Sequence, residues 1–187
     1  MKREKLLRDG EILTITEARA ENAEEIDRYV QTVCAETEFF TFGPGEFNIT
    51  SEENKPFLEA QYAGQNTCYF LARIGGELVA TLSFSGGHRP RIQHTGTLGM
   101  SVLRAHWGRG VGAALLATLL EWARSTGVIT KVNLEVRADN ARAIALYQRM
   151  GFVKEGLLVD AIRVNGVSFN NWRMGLRLES GAGEMHR

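Results

Sequence analysis

Trp107-Gly108-Arg109-Gly110-Val111-Gly112 stands between an extended segment and an apolar helix, and its reading decides the fold. Glycine at three alternate positions, Gly108, Gly110 and Gly112, leaves a run of backbone amides that no side chain screens. The helix expected from Ala113 to about Ser125 aims its N-terminus, with free N–H groups and a partial positive charge, at the same spot. Together these predict an anion site, and the usual anion at such a site is a phosphate or pyrophosphate.

Working outward, the segment before the turn, His94 to about Leu103, alternates Leu98, Met100 and Val102 toward one face, as a strand does. Two more strand-like runs precede it, Thr67 to Ile74 and Glu77 to Phe84. Gly75-Gly76 joins them as a tight hairpin turn, and Ser85 to Arg91 is a loop. Further back lie a first strand at Ile12 to Ile15 and a helix from Ala20 to Cys34 with Ala23, Ile26, Tyr29, Val30 and Val33 at helical spacing. An aromatic, glycine-punctuated loop runs from Phe39 to Ile49. Ser51-Glu52-Glu53 caps a second helix reaching about Ala63.

Beyond the turn, Lys131 to Arg137 alternates again, with Val132, Leu134 and Val136 on one face and Asn133, Glu135 and Arg137 on the other. Asn140 is an N-cap for a helix ending near Met150, with Gly151 as its stop. A last hairpin spans Phe152 to Leu178 around Asn165-Gly166, and the tail Glu179 to Arg187 is expected to fray. This order predicts a mixed α+β fold: a central, mostly antiparallel sheet flanked by helices, with a local parallel strand pair around the glycine turn.

At 187 residues the chain is expected to form one domain, with a core over about 11–178. Lys plus Arg equals Asp plus Glu at 22 each, so no global field recruits nucleic acid or an acidic membrane. No apolar run reaches bilayer length and Met1 to Arg8 lacks a secretory apolar region, which predicts a cytoplasmic protein without membrane contact. Cys34 and Cys68 read as reduced, buried residues, and no metal site is expected.

Two motifs in this order resemble the GNAT superfamily of acyl-CoA-dependent N-acetyltransferases. The Trp107 to Gly112 turn is similar to that family's Q/R-x-x-G-x-G/A pyrophosphate loop, with Trp107 in place of the usual Gln or Arg. Leu134-Glu135-Val136-Arg137-Ala138-Asp139-Asn140, followed by Ala143, Leu146, Tyr147, Gly151 and Phe152, is similar to the L-E-V-R-x-x-N-x-x-A-x-x-L-Y-x-x-x-G-F run of ribosomal-protein-alanine N-acetyltransferases and their relatives. The element order fits from Ile12 to Leu178, although the N-terminal half carries no motif of its own.

The resemblance implies a splay between the strand ending near Leu103 and the strand Lys131 to Arg137, with acetyl-CoA in it. Pyrophosphate would lie on the amides of Arg109, Gly110, Val111, Gly112, Ala113 and Ala114. Pantetheine would pair with the backbone of Ser101, Val102 and Leu103, while Asn140 and Tyr147 would face the cofactor's far arm and thioester. Arg104 and Arg109 are further candidates for phosphate contact. Tyr147 is the expected acid for the leaving thiolate. Glu135 is the candidate base, directly or through water, with His94 competing for that role. The Phe39 to Phe47 loop and the Phe152 to Trp172 hairpin are expected to shape the acceptor pocket.

The expected activity is transfer of acetyl from acetyl-CoA to a primary amine by direct attack in a ternary complex, with a small-molecule amine slightly favoured. Peptide or ribosomal-protein N-termini are an alternative acceptor class. A non-catalytic acyl-CoA-binding sensor is an alternative of another kind. A homodimer is suggested only because many members of the superfamily are dimers. A dinucleotide-binding reading of the glycine turn fits badly: the spacing is GxGxG, antiparallel strands precede it and no second βαβ unit follows.

Overall fold

The computed structural model describes residues 1–178; the tail expected to fray lies outside them. Eight strands form one sheet in the order β1-β2-β3-β4-β5-β6-β8-β7. They are β1 (Lys2–Leu6), β2 (Ile12–Glu17), β3 (Thr67–Ile74), β4 (Glu77–Gly86), β5 (Thr95–Val102), β6 (Lys131–Arg137), β7 (Val153–Val164) and β8 (Val167–Arg177). The helices are α1 (Ala23–Glu36), α2 (Ser51–Ala63), α3 (Val111–Ser125) and α4 (Ala141–Arg149). All neighbouring strands run antiparallel except β5 and β6, so the mixed, mostly antiparallel fold read from the sequence is the fold observed.

Each sheet face buries a separate core. On one, α3 and α4 cover Phe70, Leu82, Phe84, Leu98, Val132, Leu134 and Met174. On the other, α1 and α2 cover Leu71, Leu78 and Leu103, with Phe40, Phe42 and Phe47 packed against that cluster. The alternation of strand side chains makes this division: Leu134 and Val136 are buried while Glu135 between them is exposed.

Several bounds shift by two or three residues from the sequence reading, and three differences have a clear local cause. Strand β1 was not expected, because four of its five residues, Lys2-Arg3-Glu4-Lys5-Leu6, are charged and show no apolar alternation. Its backbone pairs with β2 from Lys2↔Thr16 to Leu6↔Ile12, and its charges suit an unpartnered sheet edge. Helix α2 is capped by Thr50 rather than from Ser51: the Thr50 hydroxyl accepts from the Glu53 amide and the Glu53 carboxylate accepts from the Thr50 amide. Helix α3 starts at Val111, two residues before the expected Ala113, because Gly110 at φ 97° ends the preceding turn.

Candidate active site

The parallel pairing of β5 with β6 is short: Thr95↔Lys131, Gly96↔Val132 and Thr97↔Asn133. Beyond Thr97 the ladder to β6 stops, although β5 continues to Val102 and β6 to Arg137. A slot therefore opens between the two strands. Which backbone groups line it follows from the other edge of β5. The Leu103 amide donates to Val79 O at 3.0 Å, so Leu103, Ser101, Gly99 and Thr97 turn their polar groups to β4. Leu98, Met100 and Val102 turn theirs to the slot. Of the three residues expected to pair with pantetheine, Val102 faces the slot through its backbone, while Ser101 and Leu103 face β4. The Val102 carbonyl is already taken: Trp107 Nε1 donates to it at 2.7 Å.

At the end of the slot sits the glycine turn. The first helical bond of α3 runs from the Ala114 amide to Gly110 O at 3.0 Å, so the Ala114 amide is spent within the helix. The amides of Gly108 through Ala113 precede that bond and find no backbone acceptor among the described residues. The three glycines serve two purposes. Gly108 (φ 77°) and Gly110 (φ 97°) supply left-handed backbone. Gly112 supplies clearance, since a Cβ there would stand 3.1 Å from Leu146 Cδ2 and 3.4 Å from Met100 Cε. The first turn of α3 thus packs directly onto β5 and α4. This cradle, with open space at Gly108 and Gly110 and a positive helix end, fits a pyrophosphate.

The arginines of the turn are engaged elsewhere. Arg109 pairs with Asp9 at 2.5 Å, with Glu11, and with His106 Nδ1 at 2.8 Å. Arg104 donates to Glu36 O at 2.6 Å. Arg142, at the start of α4, places its guanidinium 3.8 Å from the centre of the Trp107 ring. Sequence reasoning did not single out Arg142; it stands one helical turn before Leu146, which packs against Gly112, and that contact is tertiary, so no sequence signal marked it.

Asn140 and Tyr147 lie on the α3/α4 side. The Asn140 side chain accepts from the Ala143 amide at 3.1 Å, capping α4. Tyr147 is buried, edge-on to Phe152 with ring centroids 5.8 Å apart. Burial alone pushes its phenol up to about 12, so it stays protonated throughout the physiological range.

Glu135 projects from the opposite face, two residues past the last parallel pair, across the opened gap from Gly99. It is half-exposed and accepts one bond from Arg173 Nη2 at 3.0 Å, from the facing position on β8. Arg137, on the same face, turns to other partners. Its side chain is 7% exposed, holds Asp139 bidentately at 2.7 and 2.8 Å and donates to Glu38 O at 2.9 Å. The Phe169 and Phe39 rings lie 3.8 and 4.6 Å from its guanidinium carbon. His94 is exposed and precedes the first parallel pair, at the closed end of the slot. That is about 10 Å along the strand from the point where the slot opens.

One further group escaped the sequence reading. Tyr29, which reads as a core position of α1, places its hydroxyl 2.8 Å from Ser101 Oγ, and Ser101 lies 3.1 Å from Thr81 Oγ1. A tyrosine on an apolar stripe carries a polar tip that needs a partner when buried, and that was the available signal. Among the described residues no group of His, Cys, Asp and Glu is placed to hold a metal, and no helix is long and apolar enough to cross a membrane.

The candidate site is thus a parallel strand pair that parts beyond Thr97, a glycine-lined helix N-terminus near its end, and Glu135 exposed on one of the two strands. The profile of the acetyltransferase (GNAT) family matches residues 33–152, and the chain belongs to that family. N-alpha-acetyltransferase RimI of Mycobacterium tuberculosis (strain ATCC 25618 / H37Rv) is 42% identical over 108 residues, 57% of this chain and 65% of that protein. L-amino acid N-acetyltransferase AaaT of Escherichia coli (strain K12) is 34% identical over 86 residues, 46% of this chain and 53% of that one. The matches thus span less than two thirds of these relatives. The crystal structure of the acetyltransferase of GNAT family from Streptococcus pneumoniae superposes with a TM-score of 0.86 at 29% identity, covering 89% of this chain and 99% of that one.

Proposed function

We propose that this protein transfers acetyl from acetyl-CoA to the primary amine of a small molecule, by direct attack in a ternary complex. The observation that carries this reading is the parting of β5 from β6 beyond Thr97, with Glu135 exposed on the strand that borders the gap; Tyr147, buried on α4, takes the acid role on the strength of the family run. The amides of Gly108 to Ala113 would hold the pyrophosphate, and the slot edge at Met100 and Val102 would hold the pantetheine arm. Bound there, acetyl-CoA supplies an activated acyl carbon on a thiol leaving group.

The chain's own groups handle the protons. An amine with a pKa of about 10.4 is almost wholly protonated at pH 7 and must lose a proton to attack. Glu135 takes that proton, directly or through water, on the open face. The nitrogen then bonds to the acyl carbon as the carbon–sulfur bond breaks. Tyr147, held protonated by burial, gives a proton to the departing sulfur. An ammonium gives up two protons on its way to the amide: Glu135 takes the first before attack and passes it to solvent, and the second, lost from nitrogen as the carbon–sulfur bond breaks, restores the Tyr147 phenol that has protonated the sulfur.

The test is acetyl-CoA-dependent thiol release across small amines, with wild type and Glu135→Gln. The variant is expected to lose about 10²- to 10⁴-fold in rate near neutral pH and to recover as the amine deprotonates in solution. Equal rates for the two proteins at pH 7 would remove Glu135 from the base role. A second reading, acetylation of a peptide N-terminus, draws on the 42% identity with RimI.

A further inference from the structure

We propose that the acceptor is a free α-amino acid whose carboxylate is bound by Arg173 while its amine faces Glu135; this rests on the acetyltransferase reading above. The argument starts from what the two side chains leave unused. Arg173 and Glu135 face one another across β8 and β6 and share a single bond, Nη2 to Oε1 at 3.0 Å. Their side chains are 56% and 38% exposed. A guanidinium carries five N–H donors and a carboxylate two oxygens. Most of that capacity finds no partner here among the described residues.

The other strand cations of this face are occupied or distant. Arg137 is held by Asp139 and Glu38 O, and Lys131 pairs with Glu155 at 2.8 Å. Arg177, four residues along β8 from Arg173, lies about 13 Å away toward the closed end of the slot. Arg173 alone of this group presents free donors beside the position where the slot opens.

An α-amino acid carries an amine and a carboxylate on one carbon, so an acid and a base side by side match both its ends. Arg173 would meet the carboxylate through its planar fork, and Glu135 would meet the amine it deprotonates. The weak exposed ion pair between them is a small loss against two charge-assisted contacts with substrate. Across the gap Gly99 leaves room for the acceptor's central carbon, since a Cβ there would meet only Ser83 Oγ, at 3.4 Å. A polyamine would set another cation against Arg173, and a peptide N-terminus lacks the carboxylate on its first residue.

The test compares kcat/KM for the twenty L-α-amino acids, their carboxamides and a peptide with the same first residue, at saturating acetyl-CoA. The free acid is expected to exceed its carboxamide by about 10- to 100-fold, the worth of a charge-assisted contact. In Arg173→Gln that ratio falls toward one, and in Arg173→Lys part of it remains. A residue that merely positioned Glu135 would lower acid and carboxamide alike and leave the ratio intact, which would overturn the assignment. Carboxamides or peptides turned over as well as the acids would overturn it too, while leaving the acetyltransferase reading in place. Absence of turnover on every amine would overturn both.

Discussion

The indole N–H of Trp107 donates to the carbonyl of Val102 at 2.7 Å, fastening the glycine turn to the edge of β5 that faces the slot. The family loop carries Gln or Arg at the Trp107 position, and the side chain here works structurally instead. Trp107→Phe keeps a ring beside Arg142 but strands the carbonyl. A lost hydrogen bond of this kind costs about 1 kcal/mol, which lowers Tm by roughly 2–4 °C at this size and weakens acetyl-CoA about fivefold if the turn loosens. Thermal melts and titration calorimetry check both; unchanged affinity would separate the bond from the cradle.

Gly110 and Gly112 are expected to respond differently to alanine. At Gly110 the left-handed backbone costs an L-residue about 1–2 kcal/mol, and the strain falls on the amides that face the phosphates. At Gly112 the added methyl meets the flexible end of Leu146 at 3.1 Å, which can yield by a few tenths of an ångström. Gly110→Ala should therefore lose more Tm and more acetyl-CoA affinity than Gly112→Ala. The reverse order, measured by the same two methods, would contradict the assignment of strain to Gly110.

Arg137 joins three segments: β6, the loop at Glu38 and Phe39, and β8 at Phe169. Arg137→Met removes its bonds to Asp139 and Glu38 O and both ring contacts. The Asp139 side chain is 50% exposed, so water can solvate the charge left behind. The loss should thus be about 1–3 kcal/mol rather than the larger cost of stranding a fully buried ion. Because the loop flanks the open face, the acceptor KM should rise more than the acetyl-CoA Kd, which steady-state kinetics would show.

The same pair sets an acid dependence. Hydrogen bonding from Arg137 holds the Asp139 carboxyl below its ordinary 3.8. Its stabilisation is complete above that value and is lost as pH falls through the depressed one. Melting curves of wild type and Asp139→Asn should differ at pH 6 and converge at strongly acid pH. A constant gap would show that the charge contributes nothing.

Much of this was legible in the sequence, for identifiable reasons. The alternation through Lys131 to Arg137 set both the strand and its faces, and the Asn140 cap and Gly151 stop bounded α4 closely. Such signals are local and dominate their segments. Strand β1 was invisible because its charges carry no pattern and its pairing with β2 supplies the order. The backbone direction at Ser101 and Leu103 depends on register with β4, which no single strand encodes. Arg173 and Glu135 are 38 residues apart and meet only through the β6–β8 ladder. Tyr147 and Glu135 were readable as candidates through the family run, whereas their placement on opposite sides of the sheet is a tertiary property.

The most direct test follows thiol release from acetyl-CoA, with small amines and amino acids as acceptors, for wild type and Tyr147→Phe across pH 6–10.5. The Phe ring still packs on Phe152, so fold and acetyl-CoA affinity should hold while kcat falls about 10²- to 10⁴-fold. With the Tyr147 phenol pushed up to about 12, the wild-type rate should show no falling limb near pH 10 from this group. Tight acetyl-CoA binding without turnover on any amine, or a Tyr147→Phe variant as fast as wild type, would contradict the account.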